Sequence, residues 1–185
     1  MNRRAFVKNL LSRSKDLLVV AGLGSTAWDC TAAGDSPLTF PMWGAMGQAA
    51  MVGLGLALAQ PKRRVLVITG DGEALMGLGA LATIGAQKPE NLTVVVIDNE
   101  RYGETGMQET HTARGIDLAG VARACGFKVL DHQDLPEAIH RNPGPNFIVV
   151  KVKAEKATLV LPPREGALLK ARFRRALLGP EADAK

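Results

Sequence analysis

Aromatic side chains are scarce in this sequence: two tryptophans, one tyrosine and five phenylalanines make up 4% of it. Nucleic-acid binders that stack bases need aromatic residues interleaved with basic ones, and no such pattern accompanies the net charge of +5. Cysteine is almost as rare. Cys30 and Cys125 form neither a metal-ligand spacing nor a disulfide framework, and no cysteine cluster points to an iron–sulfur site. Long apolar runs are missing too, since the stretch 45–59 is too short to span a bilayer and carries Gln48. The early arginines superficially imitate a signal peptide, but Lys8, Arg13, Lys15 and Asp16 interrupt any apolar core. These absences lead us to expect a cytoplasmic protein with no nucleic-acid and no membrane partner. With no internal repeat and no low-complexity linker, residues 1–185 are expected to form one domain with a basic helical tail at about 160–185.

Glycine, by contrast, is plentiful at 20 residues, which points to tight turns and to places where backbone approaches backbone or a ligand. Positive charge gathers at the two ends, in Arg3, Arg4 and Lys8 and again in Lys170, Arg172, Arg174 and Arg175. Two solvated helix faces account for it most simply. A field that draws in an anionic substrate is the sharper alternative.

Phe6, Val7, Leu10 and Leu11 sit at helical spacing and predict a helix over 2–14. The run 17–24 reads as a buried parallel strand, after which Ser25 can cap a helix to about Ala33. A turn at Gly34–Pro37 and a short strand over Phe40–Trp43 lead into an apolar helix, Met46–Gln60, closed by Pro61. Strong buried strands follow at 65–71 and 92–99, joined by a helix over 73–87. Beyond a loop containing Gly103 and Gly106, we expect a helix at 117–125 and strands at 127–131 and 146–153 with a helix near 134–141 between them. A basic helix at 163–178 is ended by Gly179-Pro180. Strands rich in Val, Ile and Leu that alternate with helices define an α/β fold: a three-layer, doubly wound, mostly parallel sheet with helices on both faces. Such sheets bind ligands beyond the carboxyl ends of their strands, which here means Gly22–Ser25, Gly70–Gly72 and Asp98–Gly103.

The most informative of these is ITGDGEA (68–74). A buried strand ends at Gly70, an acid follows, and Gly72 opens a helix whose first amides suit an anion. An aspartate beside a phosphate would repel it unless a cation stood between them, so Asp71 makes sense as a Mg2+ ligand. Taken alone, Asp71-Gly72 reads more simply as the plain turn that joins a strand to a helix. Its partner changes that reading: residues 73–98 separate Gly72 from Asn99, and one strand–helix–strand unit returns Asn99 to the same sheet edge. A carboxylate, an amide oxygen and a backbone carbonyl are the hard oxygen ligands that Mg2+ demands.

GDG, a twenty-odd-residue spacer and an asparagine together resemble the signature of thiamine-diphosphate enzymes, in the domain that grips the diphosphate. The family's first asparagine is here replaced by Asp98, and its second, the metal ligand, maps to Asn99. The resemblance implies a thiamine-diphosphate-binding fold in which Asp71, Asn99 and the Arg101 carbonyl hold Mg2+. It places Gly70, Gly72, Glu73, Ala74, Tyr102, Gly103 and Glu104 around the cofactor, with Gly72, Glu73 and Glu104 contributing backbone. WGAMG (43–47) sits where similar enzymes bend the cofactor. Met46 would be the wedge between its two rings, Ala45 its neighbour, and the Gly44 carbonyl a hydrogen-bond acceptor for the aminopyrimidine. Without that context Met46 would read as a core gap-filler. Thr105 and His111, in the loop after the metal site, join Met46 as expected catalytic groups, and Gln108 and Arg114 could help hold an acidic head group. Tyr102 could pack on the cofactor or simply be buried.

The segments DGEALMGLGALATIGAQ and IDNERYGETGMQETHTA look like the sulfopyruvate and phosphonopyruvate decarboxylases. That likeness implies non-oxidative decarboxylation of an anionic 2-oxo acid. It also implies a separate pyrimidine-binding (alpha) subunit that supplies the catalytic glutamate within a higher oligomer, because only the diphosphate-binding half fits in this chain. A carboligase subunit of the acetolactate-synthase kind and a catalytically silent cofactor-binding subunit are the alternatives. GLGST (22–26) prompts a dinucleotide site, but it lacks the full glycine fingerprint and the acid that reads the ribose.

Overall fold

The computed structural model describes residues 1–13, 16–135 and 137–183. The expected helices over 2–14 and 134–141 therefore include positions, Ser14 and Pro136, that lie outside the described residues. The first half of the chain runs α1 (Arg3–Ser12), β1 (Leu18–Ala21), α2 (Ser25–Ala33), β2 (Thr39–Pro41), α3 (Ala49–Ala59) and β3 (Val65–Gly70). Then come α4 (Asp71–Met76), α5 (Gly79–Gln87), β4 (Leu92–Asp98), β5 (Arg101–Tyr102) and β6 (Gln108–Glu109). The chain ends with α6 (Leu118–Ala124), β7 (Lys128–Val129), α7 (Glu137–Arg141), β8 (Asn146–Lys151) and α8 (Gly166–Leu178).

Six strands pair in the order β2-β1-β3-β4-β8-β7, every neighbour parallel, while β5 and β6 form a separate antiparallel pair. Side chains alternate across a strand, so each strand feeds two cores. Leu18, Val20, Val65, Val67, Val94 and Val96 pack with α3, α5, α6 and Phe173 of α8. On the other face, Val19, Leu66, Ile68, Val95, Ile97 and Ile148 pack with α1, α2 and Ile139 of α7. Both faces are covered, which is why β3 and β4 read as unbroken aliphatic runs. No helix among the described residues is long and apolar enough to cross a membrane.

Three departures from the expected elements matter for the site. The helix expected over 73–87 is two helices, α4 and α5, broken at Gly77–Leu78. A side chain at Gly77 would put its Cβ 2.2 Å from the Gly47 carbonyl oxygen, so the two loops can cross only at a glycine. The apolar helix α3 begins at Ala49 rather than Met46, because Gly47 adopts φ +84° and turns the preceding segment toward the sheet edge. The loop after β4 is not irregular throughout: it folds back as β5 and β6, pairing Arg101 with Glu109 and Tyr102 with Gln108.

The basic ends differ from each other. In α8, Arg172 grips Asp35 with two hydrogen bonds of 2.6 Å, and Phe173 meets Phe40 edge-on at 5.7 Å, so the helical tail docks beside β2. Arg3, by contrast, is buried, and the reading of the first charge cluster as a solvated face is incorrect at that residue.

Asn91 locks the end of α3 to the sheet. Its side-chain amide donates to the carbonyls of Ala57, Gln60 and Arg63 at 3.0, 3.1 and 2.8 Å. Asn91→Ala strands those acceptors and should lower stability by about 1–3 kcal/mol in urea denaturation. A midpoint equal to the parent protein's would show that water replaces the amide at no cost.

Candidate functional site

Gly70 of β3 is in register with Ile97 of β4, so the residues just past both strands leave the sheet at one edge. Asp71 opens α4 there and is only 2% exposed. Its Oδ1 accepts the Asn99 N–H at 3.4 Å, and its Oδ2 accepts the Thr110 hydroxyl at 2.6 Å and the Thr112 hydroxyl at 3.3 Å. Burial pushes the Asp71 carboxyl above its ordinary value; the Thr110 hydrogen bond opposes that shift, and the nearby Asp98 charge adds to it. No lysine or arginine among the described residues forms an ion pair with Asp71. A buried carboxylate held by neutral donors and no basic side chain has the chemistry of a ligand for a hard cation.

Asn99 lies beside it, half-buried, with its side-chain oxygen accepting the Arg101 N–H at 2.9 Å. That contact uses one lone pair and leaves the other available to a cation. Asp98 precedes Asn99 at the end of β4 and shares the Thr112 hydroxyl with Asp71. It accepts Lys151 at 2.8 Å and the Thr112 hydroxyl at 2.9 Å, and so ties β4 to β8. Thr110 and Thr112, which bracket His111, are not legible as site residues in the sequence, because only the return of β6 and the following 3-10 turn brings them beneath Asp71.

A cavity of about 650 Å³ opens above this edge. Met46, Gly70, Asp71, Gly72 and Glu73 reach it from the β2 and β3 ends, and Asn99, Arg101, Tyr102, Gly103, Glu104, Thr105 and His111 from the β4 side. Five expected residues do not line it: Gly44, Ala45, Gln108, Arg114 and Ala74, the last packing against the hydrophobic core. Gln108 is bound to Thr105 by a reciprocal pair of hydrogen bonds at 2.9 and 3.1 Å, and the exposed Arg114 pairs with Glu109. Ser25, Thr26 and Arg3 also line the cavity. Ser25 and Thr26 fall at the carboxyl end of β1, where the sheet rule points, whereas nothing in the sequence places Arg3 there.

Glu73 is held differently from the expectation of backbone contact alone. The residue is 5% exposed, and its Oε2 accepts the Leu23 N–H just past β1 at 3.0 Å and the Thr69 hydroxyl of β3 at 2.8 Å. Burial raises its carboxyl above the usual range, against the pull of Thr69 and the Leu23, Ala49 and Gly47 amides, while Oε1 completes no hydrogen bond. Gly22 must be glycine for this contact, since a Cβ there would stand 1.8 Å from Oε2.

Residues 24–151 match the thiamine pyrophosphate enzyme C-terminal TPP binding domain, and the chain belongs to that family. Within it, the chain is 38% identical to the sulfopyruvate decarboxylase subunit beta of Methanothermobacter thermautotrophicus, over 99% of both chains. It is 43% identical to the phosphonopyruvate decarboxylase of Streptomyces viridochromogenes over 69% of its own length, which spans 32% of that larger protein. Among solved structures, benzoylformate decarboxylase from Polynucleobacter necessarius superposes with a TM-score of 0.69 at 22% identity, covering 86% of this chain and 34% of that one. That likeness shows the same parallel-sheet fold in a larger protein.

Proposed function

We propose that this chain is the diphosphate-binding subunit of a decarboxylase that uses thiamine diphosphate and Mg2+ on an anionic 2-oxo acid of the sulfopyruvate or phosphonopyruvate type. The observation that carries the reading is Asp71: a buried carboxylate without a cation, beside Asn99, in a chain similar from end to end to a subunit beta. Asp71, Asn99 and the Arg101 carbonyl would hold the Mg2+, while the Thr110 and Thr112 hydroxyls keep the Asp71 carboxylate aimed at it. Gly70, Gly72 and the loop through Tyr102, Gly103 and Glu104 surround the diphosphate, and Met46 shapes the ring end. Bound thiamine diphosphate supplies a carbon nucleophile and a sink for the electrons released as CO2 leaves. Thr105 and His111 face that space, where they orient the substrate or carry a proton.

Two large apolar side chains at the cavity, Met76 and Ile116, are 67% and 47% exposed. Apolar groups beside a binding site favour a covering surface. We assign that cover to a separate pyrimidine-binding subunit, which supplies the catalytic glutamate and builds a higher oligomer. A reducing cytoplasm suits the free thiols of Cys30 and Cys125.

Co-expression with candidate pyrimidine-binding partners, followed by product analysis on a panel of 2-oxo acids with thiamine diphosphate and Mg2+, tests this. Aldehyde and CO2 should appear only from the assembled pair. Comparable turnover by this chain alone would overturn the two-subunit reading. An assembly that joins two substrates without releasing an aldehyde would replace decarboxylase by carboligase.

A further inference from the structure

Arg3 stands on the first turn of α1, yet it lines the cavity and is only 7% exposed. Its Nε donates to Asp29 Oδ2 on α2, and Arg4 Nε takes the other carboxylate oxygen at 2.8 Å. Asp29 is fully buried, so α2 holds the Arg3 guanidinium in a fixed pose. Two arginines on one carboxylate leave the cluster with a surplus positive charge. The terminal nitrogens of Arg3 have no acceptor among the described residues. Those nitrogens face the cavity, where an oxyanion can pair with them.

The place of this edge separates it from the metal pair. α2 follows β1, whereas Asp71 and Asn99 follow β3 and β4, one and two strands further along the sheet. Arg3 thus enters the cavity from the β1 side, and the metal pair from the β3 and β4 ends. Glu104 is the carboxylate that feels Arg3; burial raises its carboxyl and Arg3 opposes that, but the two form no ion pair. A planar guanidinium donates two parallel N–H bonds to a tetrahedral oxyanion, which a lysine cannot do.

We propose that Arg3, oriented by Asp29, is the specificity-determining residue that receives the distal sulfonate or phosphonate of the 2-oxo acid. This rests on the decarboxylase reading above. Arg4 keeps Asp29 paired in an Arg3 variant, so the substitution leaves no buried carboxylate without a cation.

In the enzyme assembled with its partner, Arg3→Met should raise KM for sulfopyruvate or phosphonopyruvate by on the order of 100-fold and collapse the preference over pyruvate, with a smaller effect on kcat. Arg3→Lys should fall in between, since it keeps the charge and loses the fork, and it carries the test if the methionine variant fails to fold. Titration calorimetry with sulfoacetate, an unreactive sulfonate, should show an affinity loss of the same order without any turnover. An unchanged preference ratio in both variants overturns the assignment. So does an equal loss on all substrates that tracks weaker thiamine diphosphate binding, which would give the guanidinium to the cofactor. If the parent assembly turns over no 2-oxo acid, the decarboxylase reading is what fails, and the sulfoacetate titration still decides Arg3.

Discussion

Asp71→Asn should abolish Mg2+-dependent binding of thiamine diphosphate while leaving the folded chain at least as stable as before. The two halves of that expectation come from one fact. Asp71 is a 2%-exposed carboxylate whose partners are hydroxyls and an amide rather than a cation. Without metal, burying that charge costs free energy, which is why its carboxyl is pushed upward. Asparagine keeps the shape, can still accept the Asn99 N–H, and removes the charge, so the metal-free variant should gain up to about 1 kcal/mol. With metal the sign reverses, because a neutral amide cannot replace a carboxylate on a hard dication. At a ligand concentration 100-fold above Kd the parent chain gains about 2.7 kcal/mol. For a domain of this size that is a Tm increase of roughly 5–10 °C. The variant should show no increase with Mg2+ and cofactor together. A shift equal to the parent's would remove Asp71 from the metal site and leave Asn99 without its partner ligand.

The sheet is readable because both its faces are covered. Val65–Gly70 and Leu92–Asp98 appear as aliphatic runs within a residue of their true limits, and Asp71 and Asn99 follow from the ends of those runs. What local pattern cannot show is contact between distant segments. The break between α4 and α5 depends on Gly47, thirty residues from Gly77, and no helical periodicity reports it. Thr110 and Thr112 reach Asp71 only after β6 has paired with β5. Arg3 looks like part of a solvated charge cluster because a sequence gives charge without depth; the buried Asp29 that draws it inward lies 26 residues away. At Met46, the expected start of a helix, the positive φ of Gly47 delays α3 to Ala49 and leaves the methionine facing the cavity.

Glu73 sits two residues from Asp71, and its replacement should fail in the opposite way. Glu73→Ala is expected to destabilise the protein by about 2–5 kcal/mol, with or without Mg2+. The carboxylate is the acceptor for the Leu23 N–H and the Thr69 hydroxyl, and truncation removes the partner of both donors. Each orphaned donor costs about 1–3 kcal/mol, and the void adds to that. Relief of a buried charge works against the loss, but a carboxylate that already accepts two hydrogen bonds has recovered much of its burial cost. Glutamine should not restore the parent, since its amide nitrogen would be turned toward the Gly47 and Ala49 amides that now favour a negative charge. The consequence for function is positional: Glu73 joins the β1 end to the β3 end, and α2, which leaves the β1 end, carries Ser25 and Thr26 and holds Arg3 through Asp29. Urea denaturation separates this residue from Asp71, because the Glu73 variant should lose stability whether or not ligand is present. A denaturation midpoint for Glu73→Ala equal to the parent's would mean that the strand ends are aligned by the sheet alone, and the buried glutamate would then need a role in the chemistry itself.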